Sequence, residues 1–155
     1  MSVINFAYTA PVNPSGASPV LDEAQVWAGL KRKVRRAYEF VPIITGCEVI
    51  SEEGTTVVRE ATFQGRPSPV REVCEHYEPS RIDFRQPDGA VISNIVSRGS
   101  DDALHMTYVF EVRRPDLGEG SEEATDFKRE FSKMAKVAVE GSIETIRRLV
   151  KEGEI

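Results

Sequence analysis

The chain has 155 residues, 40% of them hydrophobic, and a formal net charge of -5 at pH 7. That is enough for one domain over residues 1–155, since a chain of about 150 residues buries roughly 70% of its unfolded surface. The acidic balance argues against a nucleic-acid binder built on bulk positive charge. With neither a basic-then-apolar leader nor an apolar run long enough to cross a bilayer, a cytoplasmic protein without stable membrane insertion is expected.

The stretch "VINFAYTAPV" alternates as a strand does, with Ile4, Phe6 and Tyr8 on one face, and "NPSGASP" ends it. "LDEAQVWAGL" then opens a helix. Asp22 can cap it with Gln25 three residues on, the capping-box spacing, and Leu21 and Val26 stand where a hydrophobic staple closes. Val26, Leu30 and Val34 recur at four-residue intervals beside Trp27, the one tryptophan. The other face carries "KRKVRR", expected to be a solvated face rather than a phosphate site. "EFVPIITGCEVI" holds Pro42 and Gly46, so a brief second helical turn is expected before a strand begins near Cys47. Cys47 and Cys74 lack C-x-x-C spacing and are expected to be reduced and buried.

From there the period becomes two. "TTVVREATFQ", "SPVREVCEHYE", "RIDFRQ", "AVISNIVSRG" and "ALHMTYVFEVRR" read as strands joined by short connectors, "EEG", "GRP", "EPS", "PDG" and "GSDD". Such connectors favour antiparallel neighbours, because a parallel pair needs a crossover of about a dozen or more residues. A meander of five or six strands is expected. In the last run Leu104, Met106, Tyr108, Phe110 and Val112 share one dry face. Ser121 is a fitting N-cap for a final helix, with Glu122, Glu123 and Asp126 suited to its N-terminus. The apolar row of that helix passes through Phe127, Phe131, Met134, Ala138, Ile146 and Leu149, with Ala135, Gly141 and Ser142 keeping its middle slim.

One sheet is available to cover this helix. The expected architecture is therefore α+β, a helix-grip fold: a curved antiparallel sheet wrapped around a long C-terminal helix, with two short helices after the first strand. A pocket is expected between sheet and helix, lined by Met106, Tyr108, Phe110, Phe131, Met134, Ala138 and Gly141, with the Trp27 helix closing one end. Strand parity adds polar groups. The parity that buries Val57, Ala61 and Phe63 turns Arg59 inward, and the one that buries Val70 and Cys74 turns Glu72 inward. In "VISNIVSR" two parities are equally apolar, one of which turns Asn94 inward.

"LDEAQVWAGL", "FVPIITGCEV", "VVREATF", "VREVCEHYEPSRIDF", "ISNIVSRG" and "LHMTYVFEVR", in this order and spacing, resemble the AtaL-like branch of the START/polyketide-cyclase (SRPBCC, birch-pollen-allergen-like) superfamily. The resemblance runs from about residue 3 to residue 150. It implies the helix-grip fold shared with birch pollen allergens, polyketide aromatases/cyclases and lipid-transfer START domains, and it favours the parity that turns Asn94 inward. It implies no reaction, since the fold serves carriers and enzymes alike.

Two functions fit. The first is binding of a small hydrophobic molecule (a lipid, polyketide or aromatic metabolite), with Arg59 and Glu72 paired and orienting a polar ligand group. The second is a cofactor-independent cyclase, dehydratase or isomerase in which Glu72 moves a proton while Arg59, Asn94 or Tyr108 stabilises an oxyanion. Cys74 and His76 alternate on one strand face without a second ligand pair, so no metal is expected. No G-x-S-x-G elbow marks a nucleophilic serine, and with nucleotide-binding glycine motifs lacking as well no cofactor is expected. A homodimer is left open.

Overall fold

The computed structural model describes residues 2–155. β1 (Ser2–Pro11) keeps its sequence alternation, with Ile4 and Ala10 buried. α1 (Glu23–Arg35) starts at the capping box: the Gln25 N–H donates to Asp22 Oδ1 at 2.8 Å, and the Asp22 N–H donates to Gln25 Oε1 at 2.9 Å. Two helix-end donors are thereby satisfied.

The second short helix departs from expectation. It is a single 3-10 turn over Ala37–Glu39, directly after α1, closed by the Phe40 N–H donating to the Ala37 carbonyl at 3.0 Å. Pro42, which cannot donate, falls in the turn that follows, and Gly46 is drawn into the sheet because β2 (Ile44–Glu53) begins before Cys47.

β3 (Thr56–Phe63), β4 (Val70–Tyr77), β5 (Arg81–Arg85), β6 (Val91–Arg98) and β7 (Leu104–Arg114) continue the meander. β1 returns beside β7, giving seven strands in the order β1-β7-β6-β5-β4-β3-β2, all antiparallel neighbours. β2 carries register shifts between Ile44 and Gly46 and between Val49 and Ser51. Irregularities of this kind bend a strand, here at the far edge of the sheet.

α2 (Glu122–Lys151) has 30 residues and so spans about 45 Å. Its cap is Ser121, whose Oγ accepts from the Ala124 N–H at 3.1 Å. It lies in the grip of the sheet against β1 and β7, and against α1. At that last contact Gly29 matters: a Cβ there would sit 2.4 Å from Ile146 Cγ1. Only a residue without a side chain lets the helices come this close. The Trp27 helix therefore braces α2, with Trp27 buried and edge-on to His76 at 6.2 Å between ring centroids. No helix among the described residues is long and apolar enough to cross a membrane.

Candidate functional site

Between the concave sheet face and the first half of α2 lies a cavity of about 610 Å³, within the range of about 300–1,000 Å³ usual for small-molecule sites. Phe127, Phe131, Met134 and Ala138 line it from α2, and Phe110 and Val112 from β7. Phe110 meets Phe131 edge to face at 4.9 Å between centroids, and the Arg114 guanidinium lies 4.4 Å above the Phe127 ring. Exposed Gln64, Arg66, Asp88 and Glu130 also belong to the lining and mark the end that meets water.

The other end is buried and charged. Lys33, Arg59, Glu72 and Asn94 all line it, at 6%, 3%, 2% and 0% exposure. Antiparallel register puts Arg59 directly opposite Glu72. Arg59 donates to Glu72 Oε1 from Nε at 3.1 Å and from Nη2 at 2.8 Å, and Gln86 Nε2 donates to Glu72 Oε2 at 3.0 Å. Nη1 of Arg59 reaches the carbonyls of Lys33 at 3.1 Å and Val34 at 2.9 Å. Those are orphan acceptors of the last turn of α1, where the helix dipole favours a cation. Burial is the largest influence and opposes the Arg59 charge, but the charge and hydrogen bonds of Glu72, joined by Cys74 and Cys47, together outweigh it and hold the guanidinium above its usual range.

Lys33 was expected on a solvated face; the structure buries it instead. The sequence contains the reason. Lys33 stands seven residues after Val26 and three after Leu30, so helical geometry returns it to the apolar stripe, among the buried residues of α1. The basic neighbours in "KRKVRR" hide that phase. Its Nζ donates to Asn94 Oδ1 at 2.7 Å and lies 4.5 Å from the Tyr108 ring centroid and 5.2 Å from that of Phe84. Burial pushes the Lys33 ammonium down to about 7; the positive charge of Arg59 adds to this, while Glu72 and Cys74 oppose it. Both amine and ammonium are thus accessible near neutral pH.

Asn94 is turned inward, opposite Ile82 on one side and Tyr108 on the other. Its Oδ1 is used by Lys33, while its buried Nδ2 has no acceptor among the described residues. The Tyr108 hydroxyl is already engaged. It donates to Ser142 Oγ at 2.8 Å, and Ser142 donates in turn to the Ala138 carbonyl at 2.7 Å. Burial pushes the phenol above its ordinary range, partly offset by the bond to Ser142. Tyr108 therefore presents its ring, rather than a free hydroxyl, to the Lys33 ammonium.

Of the expected ligand-binding residues, Arg59, Glu72, Asn94, Tyr108, Phe110, Phe131, Met134 and Ala138 line the cavity; Met106 and Gly141 do not. Met106 is wholly buried in the core, one side-chain step along β7 beyond Tyr108, the last residue of that face to reach the cavity. The α2 row that lines the cavity leads from Ala138 to Ser142, which Tyr108 occupies. Gly141, three residues after Ala138, shares that face but lies past the end of the cavity, where a Cβ would meet the Phe40 carbonyl oxygen at 3.9 Å. Lys33, Phe84 and Gln86 are lining residues that sequence reasoning missed. Phe84 and Gln86 share the parity of buried Ile82 on "RIDFRQ", a signal too short to stand out. Among the described residues no group of three or more His, Cys, Asp or Glu side chains gathers where a metal ion could sit.

Solved structures with this fold include the Zhui aromatase/cyclase from Streptomyces sp. R1128, at TM-score 0.64 and 14% identity, covering 96% of each chain. The di-domain ARO/CYC StfQ from the steffimycin biosynthetic pathway matches at TM-score 0.67 and 13% identity, over 98% of this chain and 52% of that one, so the chain spans about half of its length. Ara h 8.0201 follows at TM-score 0.54 and 13% identity, over 92% of this chain and 99% of that one. At such identities these likenesses speak for the fold. In sequence, the chain is 30% identical over 151 residues to the acetylaranotin biosynthesis cluster protein L of Aspergillus terreus (strain NIH 2624 / FGSC A1156), covering 96% of this chain and 91% of that one. The family model described as acetylaranotin biosynthesis cluster protein L matches residues 6–153, and the chain belongs to this AtaL family.

Proposed function

We propose that the protein binds one small, largely apolar molecule in the cavity between sheet and α2, with a polar group of that molecule directed at Lys33, Arg59 and Asn94. The observation that carries this reading is the division of one cavity into an apolar barrel and a single buried polar end. Apolar walls supply affinity without direction. The polar end supplies direction, because an unpaired buried donor is satisfied by a ligand acceptor placed there and by little else. The A. terreus relative is named for a biosynthesis cluster and the fold neighbours are named aromatase/cyclases, which supports a biosynthetic metabolite, polyketide or aromatic, as the leading ligand class ahead of a lipid.

A second reading, a cofactor-independent cyclase, dehydratase or isomerase, is favoured by the position of Lys33 near neutrality in the cavity wall. Glu72 accepts three hydrogen bonds from Arg59 and Gln86 and is fixed as their partner, which suits orientation better than proton transfer. Lys33 is the group placed to move a proton next to a carbonyl, with Arg59 and Asn94 near the charge that develops.

Native mass spectrometry of the protein purified from its source tests the first reading. A one-to-one complex with a co-purified small molecule, displaced by an apolar reporter dye, is expected. A bare chain that also fails to bind the dye at about micromolar strength, roughly 8 kcal/mol of binding free energy, would dismiss the cavity as a ligand site. Turnover of the identified molecule, lost in Lys33→Met with binding retained, would move the assignment from carrier to enzyme.

A further inference from the structure

Lys33 is a primary amine in the wall of an apolar cavity, flanked by the rings of Phe84 and Tyr108. Its one side-chain hydrogen bond is a donation to Asn94 Oδ1 at 2.7 Å. That contact orients the amide whenever Lys33 is charged, because an ammonium can only donate and the amide oxygen must face it. Two consequences follow from one bond. A neutral amine that spends an N–H on Asn94 keeps its lone pair for something else, and the other end of the same amide, Nδ2, is a buried donor with no acceptor among the described residues. A nucleophilic nitrogen and an unused N–H donor thus stand one amide group apart.

A carbonyl group matches this pair, its carbon set against the amine and its oxygen against the amide. We propose that the Lys33 amine attacks ligands bearing a ketone or aldehyde and holds them as a reversible imine, with the Asn94 N–H steadying the carbonyl oxygen. The proposal rests on the reading of the cavity as the ligand site. The Nζ lone pair adds to the carbonyl carbon, and the π pair moves to the oxygen, which takes one N–H proton to give a carbinolamine. Loss of water, carrying the second N–H hydrogen, leaves the C=N bond. Atoms balance as amine plus carbonyl to imine plus water, and no oxidant or reductant is needed.

The surroundings favour the free amine at the pH where this matters. Facing Lys33 are Arg59 from β3, Glu72 and Cys74 from β4, Asn94 from β6 and Tyr108 from β7. Burial and the Arg59 charge favour the amine, while Glu72 and the two aromatic faces favour the ammonium. The thiol of Cys74 is pushed up to about 12 by burial and stays neutral near pH 7, as does the Tyr108 phenol. A lysine with its group near 7 instead of 10.5 holds roughly three orders of magnitude more free amine at neutral pH.

The test uses the full chain and 1-phenyl-1,3-butanedione, an apolar diketone whose imine settles as a stable conjugated enaminone by moving a proton from carbon to nitrogen. At pH 7 the expected product is one diketone less one water, mapped by peptide mass spectrometry to Lys33. It should form at least about tenfold faster there than at the other lysines, should slow as pH falls below about 7, and should be missing in Lys33→Met. The peptide map of the unaltered chain gives the answer even if that variant folds poorly. Displacement of an apolar dye by the diketone is followed in parallel. Displacement without an adduct at Lys33, or with labelling spread evenly over the lysines, would overturn the imine and leave the cavity reading standing. A bound dye that the diketone neither displaces nor reacts beneath would also overturn it. Absence of both dye binding and adduct would overturn both.

Discussion

Replacing Arg59 by methionine keeps an apolar stem of similar reach and removes the guanidinium. Glu72, at 2% exposure, would lose both bonds to its Oε1 and keep only Gln86 on Oε2. The carbonyls of Lys33 and Val34 would lose their donor as well, loosening the end of α1 from the sheet. Breaking one side of a buried pair costs about 3–5 kcal/mol, because the surviving charge stays in a poor solvent. At roughly 2–4 °C per kcal/mol for a chain of this size, the melting temperature should fall by about 6–20 °C. The matched variant Arg59→Met with Glu72→Leu removes both charges and should recover most of that loss. Chemical denaturation of the four forms closes a double-mutant cycle, valid while the slope m stays constant. Coupling under about 0.5 kcal/mol would refute the claim that these groups form the polar end of the cavity as one unit.

Lys33 sets a pH dependence of definite sign. Its folded value of about 7 lies below the ordinary 10.5, so between those values the unfolded chain carries more protons and stability rises with pH, by up to about 1.4 kcal/mol per unit. Urea denaturation between pH 7.5 and 8.5 should show the rise in the natural chain relative to Lys33→Met, and parallel curves would contradict it. Gly29→Ala forces a Cβ to 2.4 Å from Ile146 Cγ1 and should cost about 1–3 kcal/mol. Adding Ile146→Ala should cost less than the sum of the two changes, whereas strict additivity in denaturation would mean that the helices have room. Ala138→Phe projects a ring into the cavity and should weaken an apolar dye at least about tenfold, or about 1.4 kcal/mol, in fluorescence titration of a folded protein. Unchanged affinity would place the dye elsewhere.

The fold was legible where one period ruled a long stretch. The alternation of "ALHMTYVFEVRR", the capping box at Asp22 and the row on α2 each depend on local geometry, and β7, α1 and α2 follow them. Arg59 and Glu72 were legible by the same means, since a strand's parity fixes its faces and their strands pair in the register that sets them opposite each other. Asn94 was not legible from its own strand, where both parities were apolar. Lys33 was hidden by a general rule that fits its neighbours: basic runs on helices are solvated, and Lys31, Arg32, Arg35 and Arg36 reach water while one member of the run turns inward. Gly141 shares the helical phase of Met134 and Ala138, so its slimness pointed to the right face of α2 but not to where along the helix the cavity ends. At that level Tyr108, bonded to Ser142, fills the core beyond Ala138, the last residue of α2 to line the cavity.

The central claim is that a ligand enters the space between sheet and α2, and the methionines report on it directly. Met134 lines the cavity, whereas Met106 is sealed in the core outside it. With methyl-labelled methionine, titration with an aromatic apolar ligand should move the Met134 methyl resonance saturably at one equivalent, through ring-current shifts, and leave Met106 nearly in place. Binding seen by calorimetry with Met134 unmoved, or with Met106 moving more than Met134, would contradict the account.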